Sequence, residues 1–225
     1  MFREVLLGRL RGLRDDSVRL PAPPAPAPVA DLVDRFRREA ERVSTTVLDG
    51  RPPGDPAGEL EKVLAECGAD RLYWQGGPLL HHCGIPLVLP PELPAGTVLV
   101  SRHEQGRVTL PLVLEPEPRD LAAMAAATIS VSVARAGIAE TGTVVESTGA
   151  GEGRVLAVLA PVHVVVLRVS DLVATQHHLF QRISPGSAGS AQLLMTGPSR
   201  TADIEKILIL GVHGPRRLHV LLTAA

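Results

Sequence analysis

At 225 residues the chain is long enough for a full hydrophobic core and sits in the upper range of one domain, for which about 100 to 200 residues is usual. A formal net charge of −1 and an aromatic set confined to Phe2, Phe36, Tyr73, Trp74 and Phe180 argue against a nucleic-acid surface, which needs basic patches and stacking platforms. With 45% hydrophobic residues the core must be aliphatic, and Lys62 and Lys206, the only lysines, limit Schiff-base chemistry to those two positions.

The first segment, Met1 to Arg14, is Arg-rich and mildly amphipathic. Glu4 and Asp15-Asp16 fit an import peptide poorly and there is no secretory h-region, so a helix is expected there. Residues 21 to 28 then carry five prolines in eight positions, a composition that favours extended polyproline geometry. The expected organisation is thus an N-terminal helix and Pro-rich linker over residues 1 to 28, followed by an α/β domain over 29 to 225. Val29, Leu32, Val33, Phe36, Ala40, Val43 and Val47 recur at helical spacing, and Asp31 with Arg35 and Asp34 with Arg38 add pairs on the outer face. A Pro/Gly loop from Gly50 to Gly58, a second helix from Glu59 to Glu66 ended by Gly68, and a short strand at Leu72-Tyr73-Trp74 follow.

The middle of the chain alternates between strand and helix patterns. Apolar runs at Ile85 to Leu89 and Thr97 to Ser101 read as strands, Arg107 to Leu114 as an edge strand because of Pro111, and Arg119 to Ala127 as an alanine-rich helix. Further strand pieces are Ile129 to Val133, Gly137 to Glu140 and Thr143 to Ser147, with Gly142 at the turn between the last two. Val162 to Val169 is apolar on both faces, as at the centre of a parallel sheet, and Asp171 to Ile183 reads as a helix. Leu193 to Thr196 and Leu218 to Leu222 complete the strands. The expected fold is α/β, a mostly parallel open sheet with flanking helices. The longest apolar run, Val155 to Leu167, contains Pro161 and His163 and falls short of the roughly 20 residues a membrane span needs, so a cytoplasmic protein is expected.

The most informative stretch is TGPSRTADIEKILILGVHGP, from Thr196 to Pro215. Two Gly-Pro turns bracket an expected short helix whose start carries Ser199, Arg200 and Thr201. A helix N-terminus with free N–H groups attracts anions, and Arg200 adds a bidentate partner for a carboxylate or phosphate. The same residues also suit a plain helix cap, with Asp203 complementing the dipole. Both readings stay open on local sequence.

This block, together with IAETGTVV from Ile138 to Val145, resembles the two signature blocks of the lactate-utilisation protein C family, the stand-alone form of the LUD domain. Weaker similarity extends from about Val29 to Leu222. The resemblance implies a fold like that of the sugar-phosphate isomerase and CoA-transferase superfamily, and a role in oxidising L-lactate to pyruvate beside iron-sulfur proteins. It supplies no catalytic residue.

Candidate site residues follow from position. Glu140, expected at a strand end before Thr141, Gly142 and Thr143, could act as base or nucleophile in a crevice at the carboxyl ends of the strands, or simply accept turn N–H bonds. His213, in the loop before Gly214-Pro215, is the best general-base candidate among eight histidines, or makes a structural bond to that turn. An anionic ligand is expected where Thr141, Gly142 and Thr143 meet Gly197, Ser199, Arg200 and Thr201. Cys67 and Cys83 form no CxxC pair and cannot hold an iron-sulfur cluster, so no cofactor is expected on this chain and any cluster belongs to a partner. His81-His82-Cys83 lacks a convergent fourth ligand, so no metal site is expected. Gly149 to Gly153 lacks GxGxxG spacing, and Gly197 to Thr201 is not a GxSxG elbow. Three classes remain: a subunit or accessory of an iron-sulfur lactate oxidation system, an independent isomerase or CoA-transferase-like enzyme, and a small-anion-binding regulatory module.

Overall fold

The computed structural model describes residues 29–68, 71–74, 87–88, 98–102, 112–113, 115–117, 128–148, 155–183, 191–202, 208–210 and 214–224. The expected N-terminal helix and linker, the helix over 119–127, the glycine loop at 149–153, His81-His82-Cys83 and His213 lie outside the described residues.

The first half contributes helix α1 (Val29–Arg42), strand β1 (Thr46–Asp49), helix α2 (Pro56–Cys67), and strands β2 (Arg71–Trp74), β3 (Leu87–Val88), β4 (Val98–Arg102), β5 (Leu112–Val113) and β6 (Glu115–Glu117). The second half adds β7 (Ile129–Val133), β8 (Ala136–Ile138), β9 (Thr143–Thr148), helix α3 (Leu156–Leu159), β10 (Val162–Arg168), β11 (Leu172–Val173), helix α4 (Gln176–Arg182), β12 (Ala191–Met195), β13 (Arg200–Ala202), β14 (Leu208–Leu210) and β15 (Arg217–Thr223).

Seven strands form the main sheet in the order β1-β15-β10-β7-β2-β4-β6. The first five run parallel, and β4 and β6 close one edge antiparallel. The expected open, mostly parallel α/β sheet is therefore present. The middle of its five parallel strands is β10, whose Val162, Val164 and Val166 pack with Leu60, Val63 and Leu64 of α2, while Val165 and Leu167 pack with Leu32, Val33 and Phe36 of α1. Burial on both faces is what a parallel strand between two helical layers requires. A second, four-stranded sheet, β11-β8-β9-β12, and the hairpin β13-β14 complete the part that bears on the site.

Three expectations are corrected. First, the helical periodicity does not run through Val47: α1 stops at Arg42. Ser44 N donates to Glu41 O at 3.0 Å and Thr45 N to Ala40 O at 3.0 Å, with Ser44 left-handed at φ 66°, which is a Schellman ending. Val47 is buried all the same, because it faces the core from β1. Second, 171–183 is not one helix. Leu172 and Val173 pair with β8, and α4 begins only after Thr175, whose hydroxyl accepts from His178 N. Third, among the described residues no helix starts after Pro198: Arg200, Thr201 and Ala202 are a strand paired antiparallel with Leu210, Ile209 and Leu208. The cluster of free N–H groups that a helix start would aim at an anion is therefore not formed by Arg200–Ala202.

Candidate functional site

The two signature segments converge, and they do so around the end of α1. Gly142 sits at φ 63° with its backbone so close to Ala40 that a Cβ there would overlap the Ala40 amide, and Gly197 at φ 89° presses in the same way on the carbonyl of Val43. Thr143 Oγ1 lies 2.6 Å from Thr141 Oγ1 and 2.7 Å from Thr196 Oγ1, so a chain of hydroxyls ties one segment to the other. The Gly-Pro turns that bracket the second segment lie side by side, with Ser199 N donating to Pro215 O at 2.8 Å. Arg200 Nη2 donates to Val43 O at 3.1 Å and to the hydroxyl of Ser44. The guanidinium thus secures a serine held in the left-handed conformation, which glycine would adopt without steric cost.

Beside this junction opens a pocket of about 360 Å³, lined by Ser44, Thr46, Pro198 and Leu218 together with Arg200, Arg216 and Arg217. Thr46 is the first residue of β1, and Arg217 and Leu218 are the first two of β15. The pocket therefore lies at the amino ends of parallel strands, opposite the carboxyl-end crevice expected for open α/β sheets. At the carboxyl end of β1, Asp49 instead takes up two arginines, Arg37 at 2.8 Å and Arg51. The Arg51 hydrogen bond, with the charge of Arg37 behind it, holds the Asp49 carboxyl below the ordinary carboxylate range.

Among the described residues the pocket arginines have no such partner. Arg200 is bonded to a carbonyl and a hydroxyl, Arg217 Nη2 donates to Cys67 Sγ at 3.4 Å, and no Asp or Glu is among the lining residues. Burial pushes the Cys67 thiol up, so the group that Arg217 faces is neutral. Two residues along β15, on the same face as Arg217, His219 is buried with neither ring nitrogen hydrogen-bonded. Burial, reinforced by the charge of Arg217, keeps its imidazole below the usual range.

Of the residues picked from sequence, Arg200 lines this pocket, while Thr141, Gly142, Thr143, Gly197 and Ser199 build the junction beside it. Glu140 stands apart. The strand β8 ends at Ile138, and Glu140 is an exposed turn residue whose N–H donates to Ala174 O at 3.1 Å.

A second constellation has no counterpart in the sequence reading. His163, wholly buried in β10, has Nδ1 2.7 Å from Ser130 Oγ and Nε2 2.9 Å from Glu146 Oε1 and 3.1 Å from Ser132 Oγ, and Ser132 also donates to Glu146. Glu146 reaches across from β9 of the second sheet and is 4% exposed. Leu218, in register with His163 on the next strand, is itself one of the residues lining the pocket. The signal in the sequence was faint: two serines at i and i+2 of an apolar strand, and one histidine in a run of valines.

The architecture defines an open-sheet α/β protein with an arginine-lined pocket at the amino ends of its strands. A family model described as the LUD domain matches residues 112–223. Lactate utilization protein C of Geobacillus sp. (strain WCH70) is 34% identical over 194 residues, covering 83% of this chain and 76% of that protein. Lactate utilization protein C of Bacillus pumilus (strain SAFR-032) is 27% identical over 197 residues, 85% of this chain and 78% of its own length. A crystal structure of a DUF162 family protein from Deinococcus radiodurans superposes with a TM-score of 0.55 at 20% identity, over 89% of this chain and 100% of that one, a likeness of fold. The chain belongs to the LUD-domain family of lactate utilization protein C. No helix among the described residues is long and apolar enough to cross a membrane.

Proposed function

We propose that this protein serves lactate utilisation as the anion-binding member of an L-lactate oxidation system in which iron-sulfur partner proteins accept the electrons. The name shared by its relatives supports the pathway. The observation that carries the anion site is the set of three arginines lining one pocket, with no Asp or Glu among its described lining residues. Arg200 is the central contact in this reading. Its remaining N–H groups have no partner among the described residues and can meet an oxyanion, because its bonds to Val43 and Ser44 fix the side chain without neutralising it.

Two measurements test this. Capture of the full chain from its native cells, followed by iron analysis, is expected to bring down cluster-bearing proteins in stoichiometric amount. Cells lacking the gene are expected to stop growing on L-lactate, and Arg200→Ala supplied in trans is expected not to restore growth while accumulating to wild-type level. Full rescue by Arg200→Ala would mean that the arginine serves only to hold the end of α1.

A further inference from the structure

The identity of the anion follows from the charge balance of the arginine pocket, and rests on the reading of that pocket as an anion site. Among the described residues the hydrogen bonds of the Arg200 and Arg217 side chains go to neutral groups and no Asp or Glu lines the pocket beside Arg216, whereas Arg37 and Arg51 at the other end of β1 share one carboxylate. Arg200, Arg216 and Arg217 are exposed, so solvent screens their mutual repulsion, and a ligand that brings negative charge into the cavity is favoured as it displaces that solvent. A monocarboxylate brings one charge and leaves two uncompensated. A phosphate monoester brings about −1.5 to −2 at neutral pH with three strong acceptor oxygens, which matches a fork of guanidiniums flanked by the hydroxyls of Ser44 and Thr46. Size points the same way. The volume of about 360 Å³ falls at the lower end of the range for small-molecule sites, roughly 300 to 1,000 Å³, which leaves room for an organic body beyond a phosphoryl group. Pro198 and Leu218 give that body an apolar wall.

We infer that the pocket takes a small organic phosphate monoester, its phosphoryl group held by Arg200, Arg216 and Arg217. Titration calorimetry of the full chain with a matched pair, L-lactate and 2-phospho-L-lactate, isolates the phosphoryl contribution on one carbon skeleton. The phosphorylated compound is expected to bind at least tenfold tighter, to be displaced by inorganic phosphate, and to lose about 10- to 100-fold in affinity in Arg216→Ala, the loss of one charge-assisted contact. Arg216 donates through its backbone to Pro161 O, a bond that alanine keeps, so the unfolding midpoint of that variant should not move. Equal or tighter binding of L-lactate overturns the phosphoryl assignment and leaves the anion site standing. No heat from either compound or from inorganic phosphate removes the anion site itself. Wild-type affinity in both Arg216→Ala and Arg217→Ala places the ligand elsewhere and also overturns the assignment.

Discussion

Two buried histidines within one sheet sit in opposite chemical circumstances. His163 has a partner for each ring nitrogen, and Glu146, almost without solvent, depends on His163 and Ser132 for its hydrogen bonds. Removing one member leaves a charge or lone pair stranded, which typically costs about 3 to 5 kcal/mol, whereas replacing the whole group by apolar residues can be close to neutral. His163→Leu should therefore destabilise strongly, and His163→Leu combined with Glu146→Leu should recover much of the loss; urea unfolding of both variants measures the difference. Among the described residues His219 has no hydrogen-bond partner for either ring nitrogen. Its folded pKa lies below that of the unfolded chain, about 6.5, so at lower pH the unfolded state binds the extra proton. The contribution of His219 is thus complete above that value and is lost as pH falls below it, with a slope of at most about 1.4 kcal/mol per pH unit. His219→Leu is expected to flatten the pH dependence of stability between pH 7 and 5 at little or no cost at pH 7, and an unchanged slope would assign the titration to other groups.

At the scale of elements, the glycines show when backbone freedom matters and when space does. Gly68 and Gly142 have nearly the same left-handed geometry, φ 58° and 63°, yet a Cβ meets nothing within 4 Å at Gly68 and meets the backbone of Ala40 at Gly142. Gly68→Ala should cost only the conformational term, about 1 to 2 kcal/mol. Gly142→Ala should cost well beyond that, since β8, β9 and α1 would have to separate; comparing the two midpoints by thermal unfolding separates space from conformation. The boundaries legible in the sequence were those with local chemistry. Gly68 marked the end of α2 by its left-handed cap, and the two-faced apolar run marked the buried strand β10, whereas the start of α2 was read three residues late, at Glu59, because Pro56 and Gly58 look like loop although Asp55 caps the helix with Pro56 in its first turn. The end of α1 was not legible, because Val43 and Val47 continue the helical period and the left-handed residue is a serine rather than a glycine. Nor was β13, where pairing with Leu208–Leu210 overrides a local pattern of hydroxyl, arginine and aspartate that reads as a helix start.

Across the whole molecule, what escaped the sequence is what the topology assembles. Ser130 and Glu146 lie 33 and 17 residues from His163, and only the order of strands and the stacking of two sheets brings them to one point. The same holds for the pocket: Arg200 was legible as a ligand candidate, but Arg216 and Arg217 join it only because β15 runs beside β1. The contact from Arg200 to Val43 spans 157 residues of chain. The last turn of α1 is therefore latched by a segment near the other end of the described chain, and an occupant of the pocket would press on that latch from outside. Occupancy should then be visible as slowed amide exchange at Ser44, Thr45 and Thr46, a local protection that follows ligand concentration while amides in the middle of β10 exchange at an unaltered rate.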